Sequence, residues 1–142
     1  KADGGSLASR ILIVDDSEAV RRMHGEALQS DGHQVVTACN GAEGLALARS
    51  EQIHLFLVDL NMPVMTGSAM VRELRNMPEY RDTPVFVLSS ESSHSMVMEM
   101  RALGVTAWIL KPVRTDLLQA AVNQGLGLKR RPAEQPSVPE KA

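Results

Sequence analysis

Five short, almost unbroken apolar runs punctuate the chain: ILIV at 11–14, QVVTA at 34–38, LFLV at 55–58, PVFVL at 84–88 and AWIL at 107–110. A strand wetted on one face alternates apolar with polar residues, whereas runs this continuous need cover on both faces. Between them lie segments with apolar residues three and four apart, Ala19, Met23, Ala27 and Leu28 in the first and Leu45, Leu47 and Ala48 in the second. That spacing is a helix stripe. Buried strands alternating with helices predict a parallel sheet sandwiched between helices, because right-handed crossovers return each strand to the same end. Gly32, Gly104 and Gly125 stand where helices should stop and are expected to form left-handed caps.

At 142 residues the chain is long enough for one domain with a real core. Fifteen basic residues against seventeen acidic ones leave no basic surplus to replace phosphate counterions, so direct nucleic-acid binding is not expected. The single Cys39 excludes an internal disulfide and suits a reducing compartment; its ordinary use would be as a small buried hydrophobe. No apolar run reaches membrane-spanning length, and KADGGSLASR lacks a signal-peptide core, so a cytoplasmic protein without membrane insertion is expected. The chain starts at Lys1 and not at Met, as a piece of a longer chain would. Residues 1–9 read as a flexible segment, 10–126 as the domain, and the proline-rich 127–142 as a disordered tail or linker start. The basic triplet at 129–131 reads as a solvated helix end.

In an open parallel sheet, ligands bind beyond the carboxyl ends of the strands, beside the point where strand order reverses. Asp15 and Asp16 follow the first run, Asp59 the third, Ser89, Ser90 and Glu91 the fourth, and Lys111 and Pro112 the fifth. Singly, each has an ordinary use. Asp15 with Glu18 would make a capping box, Asp59 and Ser89 would serve turns, and Lys111 would sit exposed before a proline turn. Together they bring three acids to one edge, opposed by one lysine. Ionised carboxylates so close repel, and a hard divalent cation resolves the conflict. Mg²⁺ binds through one or two carboxylates plus waters and leaves room for a phosphoryl oxygen. Lys111 adds fixed positive charge and Ser89 a donor for an anionic oxygen.

The segments ILIVDDS, FLVDLNMPVMTG, VFVLSSE and WILKP, in this order, resemble the receiver domain of bacterial two-component response regulators, including chemotaxis-type (CheY-like) single-domain members. The resemblance spans roughly residues 10–126. It implies a flavodoxin-like three-layer α/β sandwich, a five-stranded parallel sheet of order 2-1-3-4-5 with five helices. It makes Asp59 the phosphoacceptor, charged by a histidine kinase or phosphotransfer protein. Asp16 then resembles the direct Mg²⁺ ligand, Asp15 the acid acting mainly through water, and Asn61 the residue lending a backbone carbonyl to the metal, with Mn²⁺ as a substitute. Ser89 matches the switch hydroxyl, Lys111 its phosphoryl-binding partner, and Trp108 the aromatic switch. Pro112 implies a cis Lys-Pro bond, and Asn61 with Glu91 occupies the two positions that tune phosphoryl lifetime. Thr66 and Val113 depart from the commoner Asp and Phe; Thr66 still suits a helix N-cap.

The function implied is a phosphorylation-dependent switch, not a metabolic enzyme, that presents a changed face to a downstream protein. The alternatives are a receiver fragment of a multidomain regulator or hybrid kinase, an aspartyl-phosphate phosphatase, a nucleotide or flavin binder, and a receiver that is never phosphorylated. A haloacid-dehalogenase-like phosphatase wants an acid two residues after its nucleophile, where this chain has Asn61. No glycine-rich phosphate loop follows the first strand, and no site position is lost. Met96, Met98 and Met100 are expected mostly to fill core gaps, and His54 and His94 lack a second ligand at metal spacing.

Overall fold

The computed structural model describes residues 9–62, 65–90 and 93–127. In chain order these form β1 (Arg10–Val14), α1 (Glu18–Ser30), β2 (Gln34–Ala38), α2 (Gly41–Ser50), β3 (Leu55–Asp59), α3 (Gly67–Arg75), a 3₁₀ turn (Pro78–Tyr80), β4 (Val85–Ser89), α4 (His94–Ala102), β5 (Ala107–Leu110) and α5 (Thr115–Gly125). The strands make one parallel sheet of order β2-β1-β3-β4-β5. Register pairs Val14 with Val58, Asp59 with Leu88 and Ser89 with Leu110, so the carboxyl ends of the strands line up along one edge.

Side chains alternate between the faces of each strand, and two apolar layers result. Leu12, Val14, Phe56, Val58, Val85 and Val87 pack with Leu45 of α2, Met70, Val71 and Leu74 of α3 and Met100 of α4. Ile11, Ile13, Leu55, Leu57, Phe86 and Leu88 pack with Leu28 of α1 and Leu118 and Val122 of α5. Each such side chain taken from water contributes about 1.5–3 kcal/mol. Every residue of β3 and β4 is buried, as continuous apolar runs require; the edge strands β2 and β5 keep half-exposed residues because each has a neighbour on only one side.

Four helices begin on a hydroxyl or amide that accepts an N–H from the first turn: Ser17 from Val20, Asn40 from Glu43, Thr66 from Ala69 and Ser93 from Met96. Each cap contributes about 1 kcal/mol. At the edge away from the carboxylates, the Arg75 guanidinium donates to the carbonyls of Leu103, Tyr80, Thr83 and Gly104, tying α3 to the loop after α4. Arg72 and Glu99 add an ion pair between the same two helices.

Several expectations need correction. The cap of α1 is Ser17 and not Asp15, whose Oδ1 instead accepts the Ser17 N–H at 2.9 Å. The buried stripe of α1 is His24, Gly25 and Leu28; Met23 is 47% exposed, because the helix is rotated to bring Gly25 against Val35 and Ile13. Gly32 and Gly104 do take positive φ, but in α5 that conformation falls to Gly127 at +77°. Gly125 is still helical, and its hydrogen lies where a Cβ would come within 2.8 Å of the Phe86 ring. Cys39 is exposed, since it follows the last residue of an edge strand. The α4 methionines do mostly serve the core, as expected: Met100 lies in it and Met96 packs against it, while Met98 is exposed. The expectations for Glu91, for the basic triplet at 129–131 and for most of the two terminal segments fall outside the described residues.

Candidate functional site

Each chemical residue sits where a buried strand reaches the carboxyl edge. Asp59 is the last residue of β3 and Ser89 the last of β4, each one position deeper than the apolar runs suggest. Both are 2% exposed, as is Asp15, which follows β1 and keeps sheet pairing through its N–H to the Ala38 carbonyl at 3.1 Å. Asp16 is exposed beside it. One carboxylate oxygen from each of Asp15, Asp16 and Asp59 falls within 4.8 Å of the other two. Lys111, just past β5, is held by its N–H to the Ser89 carbonyl at 2.8 Å. Its Nζ reaches Asp59 Oδ1 at 3.0 Å and Asp15 Oδ2 at 3.6 Å.

The electrostatics follow from this packing. Burial pushes the Asp59 carboxyl above its ordinary range; the Lys111 hydrogen bond pulls it back, the Asp15 charge raises it again and the Asn61 N–H at 3.2 Å lowers it, leaving a net rise. For Lys111, burial lowers the pKa, but the Asp59 hydrogen bond and the charges of Asp15 and Asp59 outweigh it and hold the ammonium charged. One ammonium stands against three carboxylates. The donor set is all hard oxygen, open to solvent at Asp16, which fits Mg²⁺ with several waters retained.

The bond between Lys111 and Pro112 is cis. Trp108 lies one strand over from Val87 and packs against the α3–α4 layer. A cavity of about 110 Å³ between α4 and β5 is lined by Val97, Met100, Arg101, Val105, Ala107 and Trp108, among others. Asn61 is exposed two residues beyond Asp59, and Thr66 caps the helix that follows. A groove of about 500 Å³ lies at the opposite edge, but its Tyr80 hydroxyl is already engaged by Ala48, Glu51 and Ile53. Among the described residues no helix is long and apolar enough to cross a membrane.

Two residues at the edge escaped the sequence reading. Ser17 fixes Asp15 through its N–H. Arg21 donates from Nη1 to the Asp15 backbone carbonyl at 2.6 Å. Helix periodicity was the available signal, since a helix capped at 17 turns residue 21 back over its own entry loop.

The chain is similar in sequence and fold to known proteins. A family model described as the response regulator receiver domain matches residues 11–123. A chemotaxis protein CheY homolog of Campylobacter jejuni is 31% identical over 120 residues, which cover 83% of this chain and 92% of that protein. The sensor histidine kinase TmoS of Ectopseudomonas mendocina is 32% identical over 120 residues, covering 84% of this chain but only 12% of the kinase. The solved structure of the chemotaxis response regulator CheY4 of Vibrio cholerae superposes with a TM-score of 0.79 at 36% identity, over 83% of this chain and 98% of that one. With the sheet order, the helix placement and the family match in agreement, the chain belongs to the response regulator receiver domains of two-component signalling and has their CheY-like, flavodoxin-like fold.

Proposed function

We propose that this receiver accepts a phosphoryl group on Asp59 from a histidine kinase or phosphotransfer protein, and that the modification changes the surface it offers to a downstream protein. The observation that carries the reading is the ion pair of the buried Asp59 with Lys111 inside a three-carboxylate cluster. An isolated buried acid at a strand end would be a cost without a purpose.

Asp16, Asp59 and the Asn61 carbonyl would hold Mg²⁺, with Asp15 acting through water. When bound, the ion neutralises charge on the phosphoryl oxygens. Lys111 holds Asp59 ionised and in place. An Asp59 oxygen attacks phosphorus in line, the P–N bond of the phosphohistidine breaks, and the imidazole leaves with the bonding electrons and takes up a proton. The product is an acyl phosphate, paired with Lys111 and within reach of the Ser89 hydroxyl once the loop after β4 shifts. Space left behind Ser89, with the cavity between α4 and β5, supports movement of Trp108 as the readout. Asn61 and Glu91 are assigned to the tuning of phosphoryl lifetime. Residues 10–126 are the proposed working unit, in the cytoplasm.

The match to a small part of TmoS favours a second setting, a receiver module within a longer regulator or hybrid kinase, with the same site chemistry. An aspartyl-phosphate phosphatase is disfavoured by Asn61 in the place of a general acid.

Incubation with Mg²⁺ and acetyl phosphate should add one hydroxylamine-labile phosphoryl group, absent in Asp59→Asn, and change the Trp108 fluorescence. An unchanged mass would overturn the reading, and sustained turnover of phosphate esters would favour the phosphatase.

A further inference from the structure

We infer that Arg21 is a positioning residue for the cation site: by holding the Asp15–Asp16 peptide in place it aims the Asp16 carboxylate, and the inference rests on the proposed role of the acid cluster. The Asp15 carbonyl belongs to the same rigid peptide plane as the Asp16 N–H, so fixing that oxygen fixes the direction in which Asp16 leaves β1. The guanidinium meets it at 2.6 Å, a short charge-assisted bond. Asp15 itself is held at every polar atom: its N–H by Ala38, its carbonyl by Arg21, Oδ1 by Ser17 and Oδ2 beside Lys111. Asp16 is the exposed member of the cluster, so its aim depends on the backbone it hangs from.

A positive charge this close to a cation site is by itself a disadvantage, since it repels the ion. Two features answer that objection. The guanidinium is directed at a neutral carbonyl, and its charge also acts on the Glu43 carboxylate, keeping that group ionised after the larger effect of its hydrogen bond from Cys39 N–H at 2.6 Å. Glu43, in the first turn of α2, thus partly offsets the Arg21 charge.

The opposing effects make the test decisive. If Arg21 acted only as a charge, Arg21→Met would tighten Mg²⁺ binding. As a positioning residue, its loss should weaken binding about tenfold, the range for removing a group that orients a metal ligand. Arg21→Lys should retain part of the affinity, and Arg21→Met should add little on top of Asp16→Asn, because both act through one carboxylate. Mg²⁺ affinity is read by calorimetry, with the melting temperature in EDTA recorded for each variant. A merely structural role would lower that temperature and leave the affinity of the folded protein unchanged. Unchanged or tighter binding in Arg21→Met, or full additivity with Asp16→Asn, overturns the inference and leaves the proposed function standing. No Mg²⁺ binding by the wild type overturns both. Should Arg21→Met fail to fold, Arg21→Lys takes its place, and Mg²⁺ affinity equal to that of the wild type overturns the inference as well.

Discussion

Asp59 and His24 are both 2% exposed, yet burial acts on them in opposite directions. For Asp59 the folded-state pKa lies above its ordinary 3.8, chiefly through burial. A raised carboxyl pKa contributes stability that is complete below the unfolded value and is lost as pH rises through the folded value. Metal-free Asp59→Asn should therefore be more stable than the wild type at neutral pH and lose that advantage below pH 3.8. Urea denaturation across pH checks this. Among the described residues neither His24 ring nitrogen finds a hydrogen-bond partner, and burial first, then the Lys111 charge, hold its pKa below 6.5. A depressed histidine pKa contributes stability above the unfolded value that is lost as pH falls through the folded one. His24→Leu should raise stability by about 1–2 kcal/mol at neutral pH and more in acid, because it removes an unsatisfied buried polar group. Equal acid sensitivity of variant and wild type would refute that account.

At the scale of elements, glycine positions set how closely helices approach strands. A Cβ on Gly67 would come within 2.4 Å of the Asp59 carbonyl oxygen and 2.8 Å of the Leu60 Cα, so the first turn of α3 lies directly on the end of β3. Backbone cannot yield there without moving the carboxylate. Gly67→Ala is expected to cost about 3 kcal/mol and to slow phosphorylation with it. Gly125→Ala meets the edge of the Phe86 ring, a side chain that can tilt, at the sheet's other end. It should cost nearer 1 kcal/mol and leave Mg²⁺ affinity unchanged. Denaturation midpoints and phosphorylation rates of the two variants separate the effects.

For the whole molecule, the two apolar layers supply the stability and the carboxyl edge draws on it. A cation that binds only the folded chain stabilises by mass action, about 1.4 kcal/mol at ten times its dissociation constant. In a domain of this size the melting temperature should rise by roughly 4–6 °C, reversibly with EDTA. Asp16→Asn should remove most of the rise. Wild-type melting that ignores Mg²⁺ would contradict the site.

The alternation of apolar runs with helix-period segments determined the sheet, its parallel sense and the edge where chemistry gathers, because burial on both faces leaves a strand no polar positions. The order ILIVDDS, FLVD, VLSS, WILKP carried Asp15, Asp16, Asp59, Ser89 and Lys111 with it. What the sequence could not supply were quantities that depend on distant atoms. The rotation that buries His24 and exposes Met23 comes from Gly25 seating on Val35 and Ile13. The close seating of Gly125 on the Phe86 ring comes from β4, and the exposure of Cys39 from β2 lying at the sheet's edge. The Arg21 bond was local in sequence but needed the turn at Ser17 to close it. Periodicity and strand-end chemistry are properties of neighbours along the chain; helix rotation, edge position and the aim of a carboxylate are decided by which surfaces meet.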